Sequence, residues 1–377
     1  MNVSEFDFEL PQELIALRPA SPRDSARMLV VDATGAISHA QVRDLPQHLR
    51  RGDMLVVNDT RVFPARLRGR RAPRDGSTGD GPKVEVLLHK RLDAARFLAF
   101  ARPARKLEKG DAIFLGGSLL GRVVARRDAG EIEISLGPRV PGPLASGRHA
   151  MAPPDQCRQD ACAPSIDAAI AREGEMPLPP YIAGKRAADS QDVLDYQTIY
   201  AAQEGSVAAP TAGLHFTPDV FARLAAAGIA RETITLHVGA GTFLPVTADD
   251  TAQHRMHAER AAISRDTASA INAARETGGR IVAVGTTTLR TLESAADENG
   301  RIAPFAGETA LFITPGYRFK AADILLTNFH LPRSTLFMLV CAFCGTETMK
   351  RAYAEAIAAR YRFYSYGDAC LLFRPPA

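Results

Sequence analysis

Short apolar runs recur along the chain, and most of them end in a polar cluster. Residues 5–17 predict a lead-in and a short helix with Pro11 in its first turn. Arg27-Met-Leu-Val-Val-Asp32 reads as a buried strand turned at residues 33–35, and a polar helix follows over about 41–50, stopped by Gly52. Asp53-Met-Leu-Val-Val-Asn58 repeats the strand and delivers Asp59, Thr60 and Arg61 at its C-terminal end. From about residue 65 to 136 the pattern changes. Runs at 84–88, 97–100, 112–115, 122–125 and 131–135 are separated by Gly-Asp and Asp-Ala-Gly turns, with little helical periodicity. Strands this short and closely spaced predict a small antiparallel barrel or sandwich.

Strand and helix then alternate. Two dense patches, 205–216 and 234–243, each read as an apolar strand running into small residues with Thr and His among them. Between them Thr217-Pro-Asp starts a helix that ends at Gly228. In the next strand Ile234, Leu236 and Val238 face one way, and Thr233, Thr235 and His237 the other. Ser264 caps a helix closed by Gly278 and Gly279, and Arg280-Ile-Val-Ala-Val-Gly285 is a buried strand opening into Thr286 to Glu293. Strands are predicted at 310–314 and 323–327, the second ending at Asn328-Phe-His330, with a helix over 349–360.

The pattern gives an α/β fold. Residues 1–64 and 176–377 form a larger α/β domain, barrel-like or open, with residues 65–140 inserted as a small antiparallel β-barrel. Residues 141–175 read as a Pro- and Ala-rich linker or insertion, and 71–82 as a loop. In α/β folds the C-terminal strand ends share one edge. The polar clusters 58–61, 210–215, 237–242, 286–293 and 328–330 are expected there.

Composition narrows the class. No apolar run approaches the roughly 18 residues of a membrane span, and the acidic N-terminus resembles no targeting peptide, so a cytoplasmic protein without membrane contact is expected. The net charge of +4 says little. The cluster Arg61, Arg66, Arg68, Arg70 and Arg71 reads as solvated surface or as a phosphate-binding face. Five cysteines without framework spacing suggest reduced thiols, and Cys341-x-x-Cys344 sits inside an apolar run.

Standard cofactor chemistry is poorly matched. His215, His237, His254, His257 and His330 lack a His-Glu-x-x-His pair, so no metal is expected. Gly239-Ala-Gly241-Thr242 lacks the third Gly of a dinucleotide fingerprint, and neither a Walker loop nor a Gly-x-Ser-x-Gly elbow occurs. The residues alone lead to an enzyme with a His- and Thr-lined polar site.

Longer motifs carry a resemblance. Asn58-Asp-Thr-Arg-Val62, Tyr196-Gln-Thr-Ile-Tyr200, Val207-Ala-Ala-Pro-Thr-Ala-Gly-Leu-His-Phe216 and Thr235-Leu-His-Val-Gly-Ala-Gly-Thr-Phe243 resemble the S-adenosylmethionine:tRNA ribosyltransferase-isomerases. So do Val284-Gly-Thr-Thr287, Leu326-Thr-Asn-Phe-His-Leu-Pro332 and Tyr361-Arg-Phe-Tyr-Ser-Tyr-Gly-Asp-Ala369. The departures are insertions near 72–82 and 141–170, and Arg260 where an aromatic is more usual. The resemblance implies an enzyme of queuosine biosynthesis that moves and isomerises the ribosyl part of S-adenosylmethionine. The acceptor would be 7-aminomethyl-7-deazaguanine at the tRNA wobble position, and the products epoxyqueuosine-tRNA, adenine and methionine. S-adenosylmethionine is then a substrate, no cofactor is expected, and the partners are S-adenosylmethionine and tRNA carrying the precursor base, bound by a monomer. A tRNA methyltransferase and a non-catalytic tRNA-binding protein are the alternatives.

On that reading His237 and then His215 are candidates for proton transfer, and Asp59 or Glu293 for steering the sulfonium or the amine. Arg61 or Arg290 would hold a carboxylate or phosphate. Thr211, Thr242, Thr286 and Asn328 would fix hydroxyls or ring nitrogens, with Asn58, Thr60, Gly213, Gly239, Gly241, Thr287 and His330 completing the substrate site. Arg66, Arg68 and Arg333 are expected at tRNA phosphates and Tyr317 against a base.

Overall fold

The computed structural model describes residues 1–75, 81–127, 130–139, 165–239 and 248–376. The chain divides into two compact units, Met1–Arg61 with Ser190–Glu204 and Ala209–Ala377, and Val62–Asp189 with Gly205–Ala208. In chain order the strands begin with β1 (Arg27–Val31), β2 (Ile37–Gln41), β3 (Met54–Asn58) and β4 (Thr60–Val62). Then come β5 (Arg66–Arg71), β6 (Lys83–Arg91), β7 (Arg96–Arg102), β8 (Ala112–Leu115), β9 (Leu119–Arg126) and β10 (Glu131–Pro138). The rest are β11 (Gln203–Ser206), β12 (Ala230–Leu236), β13 (Glu259–Ile263), β14 (Ile281–Val284), β15 (Phe305–Thr309), β16 (Ile324–Asn328) and β17 (Ala369–Phe373).

β5 to β10 close into a barrel in the order β10-β7-β6-β5-β8-β9, every pair antiparallel. The alternation of the sequence explains it. Leu67, Val86, Leu88, Ile113, Leu115, Ile132 and Ile134 are buried, while Arg66, Arg68, Glu85 and Glu133 between them are not. Gly69 sits where β5 crosses β8 closely, and a Cβ there would lie 2.0 Å from the Phe114 carbonyl oxygen. The helix Ile166–Glu173 packs on β9 and β10. It falls in the segment expected as linker, and its physical basis is a Ser165 N-cap together with the buried Ala169 and Ile170. Residues 76–80 of the predicted loop, residue 140 at the end of the predicted barrel and 141–164 of the predicted linker lie outside the described residues.

The other unit is built on a nine-stranded open sheet, order β15-β13-β12-β3-β14-β16-β17-β1-β2. β12, β3, β14 and β16 run parallel to one another, as strands joined by helices do, while β13 beyond β12 and β17 beyond β16 are antiparallel to them. Leu55, Val57, Val282, Val284 and Leu326 pack with Val220 and Leu224 of the helix Pro218–Ala226. The helices Arg265–Glu276 and Thr286–Ala295 also lie against β12 and β14.

Several elements differ from the sequence pattern. The strand expected at 310–314 lies earlier, at β15, where it pairs with β13. The patch expected as an apolar strand at its start instead holds the short β11, paired with β4, and a 3-10 turn over Thr211–His215.

Candidate active site

β12 and β14 flank β3 on its two sides, and both are parallel to it. Residues 58–61, 237–239, 285–290 and, beyond β16, 328–330 therefore leave the sheet at one edge, the edge at which open α/β sheets bind ligands. The last backbone pair of the β3–β12 ladder is Asn58 with Ile234. There the Asn58 side chain takes over from the backbone. It is fully buried; its Oδ1 accepts the Leu236 N–H at 2.9 Å and the Thr60 N–H at 3.1 Å. Its Nδ2 donates to the Leu236 carbonyl at 2.9 Å and reaches Thr287 Oγ1 at 3.4 Å. Asn58, expected to bind substrate, thus uses its amide to hold two strand ends together.

The clasp brings Thr60 and His237 face to face, with Thr60 Oγ1 2.8 Å from His237 Nδ1. Thr60 Oγ1 also lies 3.4 Å from the Gln203 carbonyl, and the His237 N–H donates to the Arg260 carbonyl at 3.0 Å. Burial lowers the His237 pKa and the Arg260 charge adds to that, while Asp59 opposes both. The ring is therefore neutral at neutral pH. Among the described residues its Nε2 has no hydrogen bond. Asp59 accepts from Thr235 Oγ1 at 2.7 Å, and burial raises its carboxyl pKa against that bond and the His237 charge.

The other predicted histidines have different surroundings. Asn328 accepts from Thr211 Oγ1 at 2.9 Å, and its Nδ2 lies 3.3 Å from His215 Nε2. His330 Nε2 is 3.0 Å from Thr327 Oγ1, and its N–H donates to Tyr353 Oη at 2.9 Å. Burial brings the His215 pKa down to about 4, with Asp368 opposing and Arg362 and Arg23 adding, and that of His330 to about 3. Both are interior, neutral rings that tie the end of β16 to its neighbours.

Two charged candidates are occupied internally. Arg290 Nη1 pairs with Glu259 Oε2 at 2.5 Å and its Nε donates to the Leu311 carbonyl, while Glu259 Oε1 accepts the Gly239 N–H at 3.1 Å. Glu293 is buried and accepts the Lys320 and Ala321 N–H groups at 2.9 Å, the Ala322 N–H at 3.3 Å and Tyr317 Oη at 3.2 Å. Four donors make it the anchor of that turn. Tyr317 is half-buried, edge-on to Phe319. Thr286 opens its helix behind Gly285, whose φ of 88° favours glycine, and no side chain caps that end.

Arg61 and Arg333 are exposed; Arg61 Nη2 donates to the Ala201 carbonyl at 2.6 Å, and the Arg333 N–H donates to the Phe6 carbonyl. Gly213 makes room for a side chain, since a Cβ there would fall 2.0 Å from Tyr200 Oη. In the barrel unit Arg66 and Arg68 lie on the outer side of β5. Gly241 and Thr242 lie outside the described residues. Cys341 and Cys344 are buried in the helix Thr335–Cys344, and burial pushes both thiols up to about 12, so they stay protonated.

Sequence reasoning did not single out Glu259, Thr235 or Tyr200 as site residues. The polar side of β12 pointed to Thr235, and a motif without an assigned role contained Tyr200. Glu259 left no local signal, because its partners are 31 and 20 positions away.

The interior histidines set a pH dependence. Their folded pKa values lie below the ordinary 6.5, so below pH 6.5 the unfolded chain binds more protons. Stability falls as pH drops through 6.5 toward 4 for His215 and toward 3 for His330. Each should contribute on the order of 1 kcal/mol or more over that interval. In urea titrations at pH 7 and 4.5, His330→Gln should lose less stability between the two than the unsubstituted protein. Equal losses would contradict a neutral interior His330.

The family model described as queuosine biosynthesis protein matches residues 3–372. Proteins named S-adenosylmethionine:tRNA ribosyltransferase-isomerase from Nitrobacter winogradskyi and Parvibaculum lavamentivorans are 58% and 57% identical to the chain. The alignments cover 99% of this chain in both cases, and 98% and 99% of those proteins. The crystal structure of the S-adenosylmethionine tRNA ribosyltransferase from Thermotoga maritima is similar at 33% identity with a TM-score of 0.52, covering 98% of this chain and 100% of that one. With matches of this length and identity on top of the shared architecture, the chain belongs to the queuosine biosynthesis family of S-adenosylmethionine:tRNA ribosyltransferase-isomerases.

Proposed function

We propose that the chain transfers and isomerises the ribosyl part of S-adenosylmethionine onto the aminomethyl group of 7-aminomethyl-7-deazaguanine at the tRNA wobble position. Epoxyqueuosine-tRNA, adenine and methionine leave. The enzyme works in the cytoplasm as a monomer, with no cofactor beyond the S-adenosylmethionine it consumes. The observation that carries the chemical assignment is a neutral His237, held by Thr60 at one ring nitrogen and free of partners among the described residues at the other.

The positive sulfonium acidifies the 5′ C–H, and a base within hydrogen-bond reach removes that proton. His237 does so through Nε2, with Thr60 accepting the Nδ1–H and turning its own proton toward the Gln203 carbonyl. Asp59 lies where it favours a cationic neighbour, whether the sulfonium or the imidazolium once formed. Thr286 and Thr287 offer hydroxyls at the same edge, and Arg61 retains guanidinium donors for the methionine carboxylate. His215, His330, Asn58 and Asn328 serve the site by holding its frame.

The barrel unit supplies the charge for tRNA. Residues 65–139 carry 17 Lys and Arg against 9 Asp and Glu, a net +8 in a chain whose total is +4. Arg68 is 61% exposed, and its pairs with Glu85 and Glu175, at 3.8 and 3.3 Å, are solvated and readily exchanged for phosphate. Arg66 is only 14% exposed and its Nη2 donates to the Leu178 carbonyl, so it contributes mainly to the fold.

Ribose-labelled S-adenosylmethionine, incubated with precursor-modified tRNA and followed by nucleoside analysis, should place label in epoxyqueuosine. Methyl transfer alone, or no consumption, would overturn the reading. His237→Ala should lower turnover about 100-fold or more. A base must be neutral and the His237 pKa is lowered from 6.5, so turnover should rise with pH along an acid limb centred below 6.5. Near-normal turnover in the variant would remove His237 from the chemistry. Arg68→Glu should weaken tRNA binding and reduce its salt slope by about 1 or more; unchanged affinity would make that face ordinary solvated surface.

A further inference from the structure

Thr198 Oγ1 and Tyr200 Oη are buried and have no hydrogen-bond partner among the described residues. Buried hydroxyls are nearly always paired, and each exception needs a physical reason. These two belong together. A Cβ on Gly213 would lie 2.0 Å from Tyr200 Oη and 2.9 Å from Thr198 Cγ2, so both side chains lean on the same 3-10 turn. The Tyr200 ring is fixed edge-on against Phe221 at 5.7 Å, and Phe221 stacks on Phe216 at 4.9 Å.

The surroundings point to the edge already described. The charges acting on the Tyr200 hydroxyl are Arg231 and Asp59. Asp59 in turn acts on His237 and accepts from Thr235. The backbone geometry agrees: the Ala202 N–H donates to the Asp59 carbonyl at 2.7 Å and the Ala201 N–H to the Thr198 carbonyl at 3.2 Å, so the segment carrying the two hydroxyls is bonded to the turn that holds Asp59. Gly213 keeps the room that the Tyr200 hydroxyl occupies.

We propose that Thr198 and Tyr200 are substrate-binding residues whose hydroxyls hydrogen-bond the nucleoside half of S-adenosylmethionine, at its ribose hydroxyls or adenine ring nitrogens. The inference rests on the proposed use of S-adenosylmethionine at this edge. The chemistry of the pair selects that half. A neutral hydroxyl both donates and accepts, which complements a sugar diol or a heteroaromatic nitrogen. The methionine carboxylate needs a cation instead, and the Asp59 carboxylate nearby would repel it.

Tyr200→Phe and Thr198→Val remove the hydroxyls and keep most of the packing. Removing an unpaired buried hydroxyl relieves its desolvation, so both variants should melt no lower than the unsubstituted protein. Both should weaken the Kd for S-adenosylmethionine by about tenfold, as loss of a buried hydrogen bond to ligand does. Adenosine, used as a competitor, should weaken by the same factor. If Tyr200→Phe melts lower and binds both compounds within twofold of the unsubstituted protein, the hydroxyl holds structural water and the inference is wrong. It is also wrong if S-adenosylmethionine weakens while adenosine does not. His237→Ala separates the two readings: it should bind S-adenosylmethionine normally without turning it over. Full turnover there removes the base assignment and leaves the Tyr200 result standing.

Discussion

The side-chain amide of Asn58 is the contact on which the rest of the site depends. β3 and β12 stop pairing through their backbones at this residue, and two chains leaving a parallel sheet would otherwise diverge. One buried amide replaces the missing ladder rung by donating to and accepting from Leu236, and it orders the Thr60 turn through a third bond. A side-chain amide is suited to this because it offers a donor and an acceptor in one plane, like a peptide group. Thr60 and His237 then meet, while the Glu259–Arg290 pair holds the Gly239 amide from the other side.

Three histidines sit beyond the ends of strands or in the turn beside them, and burial separates them. His215 and His330 are deep in the protein, where protonation has no solvent to support it, and each ring is engaged by a neighbouring polar side chain. His237 is only partly buried and has a carboxylate among its electrostatic neighbours. The same residue type thus serves as interior linkage twice and as the candidate base once. A similar division holds for the carboxylates: Glu293 is saturated by four donors, whereas Asp59 has a single side-chain donor among the described residues.

The alternation of apolar runs with polar strand ends made the architecture legible, because β1, β3, β14 and β16 are buried strands whose hydrophobicity is local, and β12 shows its buried Ile234 and Leu236 by their spacing of two. The barrel was legible for the same reason. β13 and β15 were not, since their stability comes from pairing with each other at the sheet's edge. At the site, the sequence placed the clusters 58–61, 286–293 and 328–330 just beyond strands whose C-terminal ends share one edge of the sheet, as the structure has them. It could not distinguish a partly exposed histidine from one that faces the core, because burial is set by elements more than 100 residues apart, as with His215 and Asn328. Nor could it show that Arg290 and Glu293 are already paired.

The most direct test of this account is the turnover of Asn58→Leu, a change of similar volume that removes both halves of the clasp. Melting would confirm that the variant is folded, and tRNA affinity that the barrel unit is intact. A displacement of about 1 Å at a reacting group is enough to cost up to 100-fold. The account predicts at least a tenfold fall in kcat with tRNA affinity unchanged. A folded variant whose kcat stays within twofold of the unsubstituted protein would show that the Asn58 amide does not hold His237 in place.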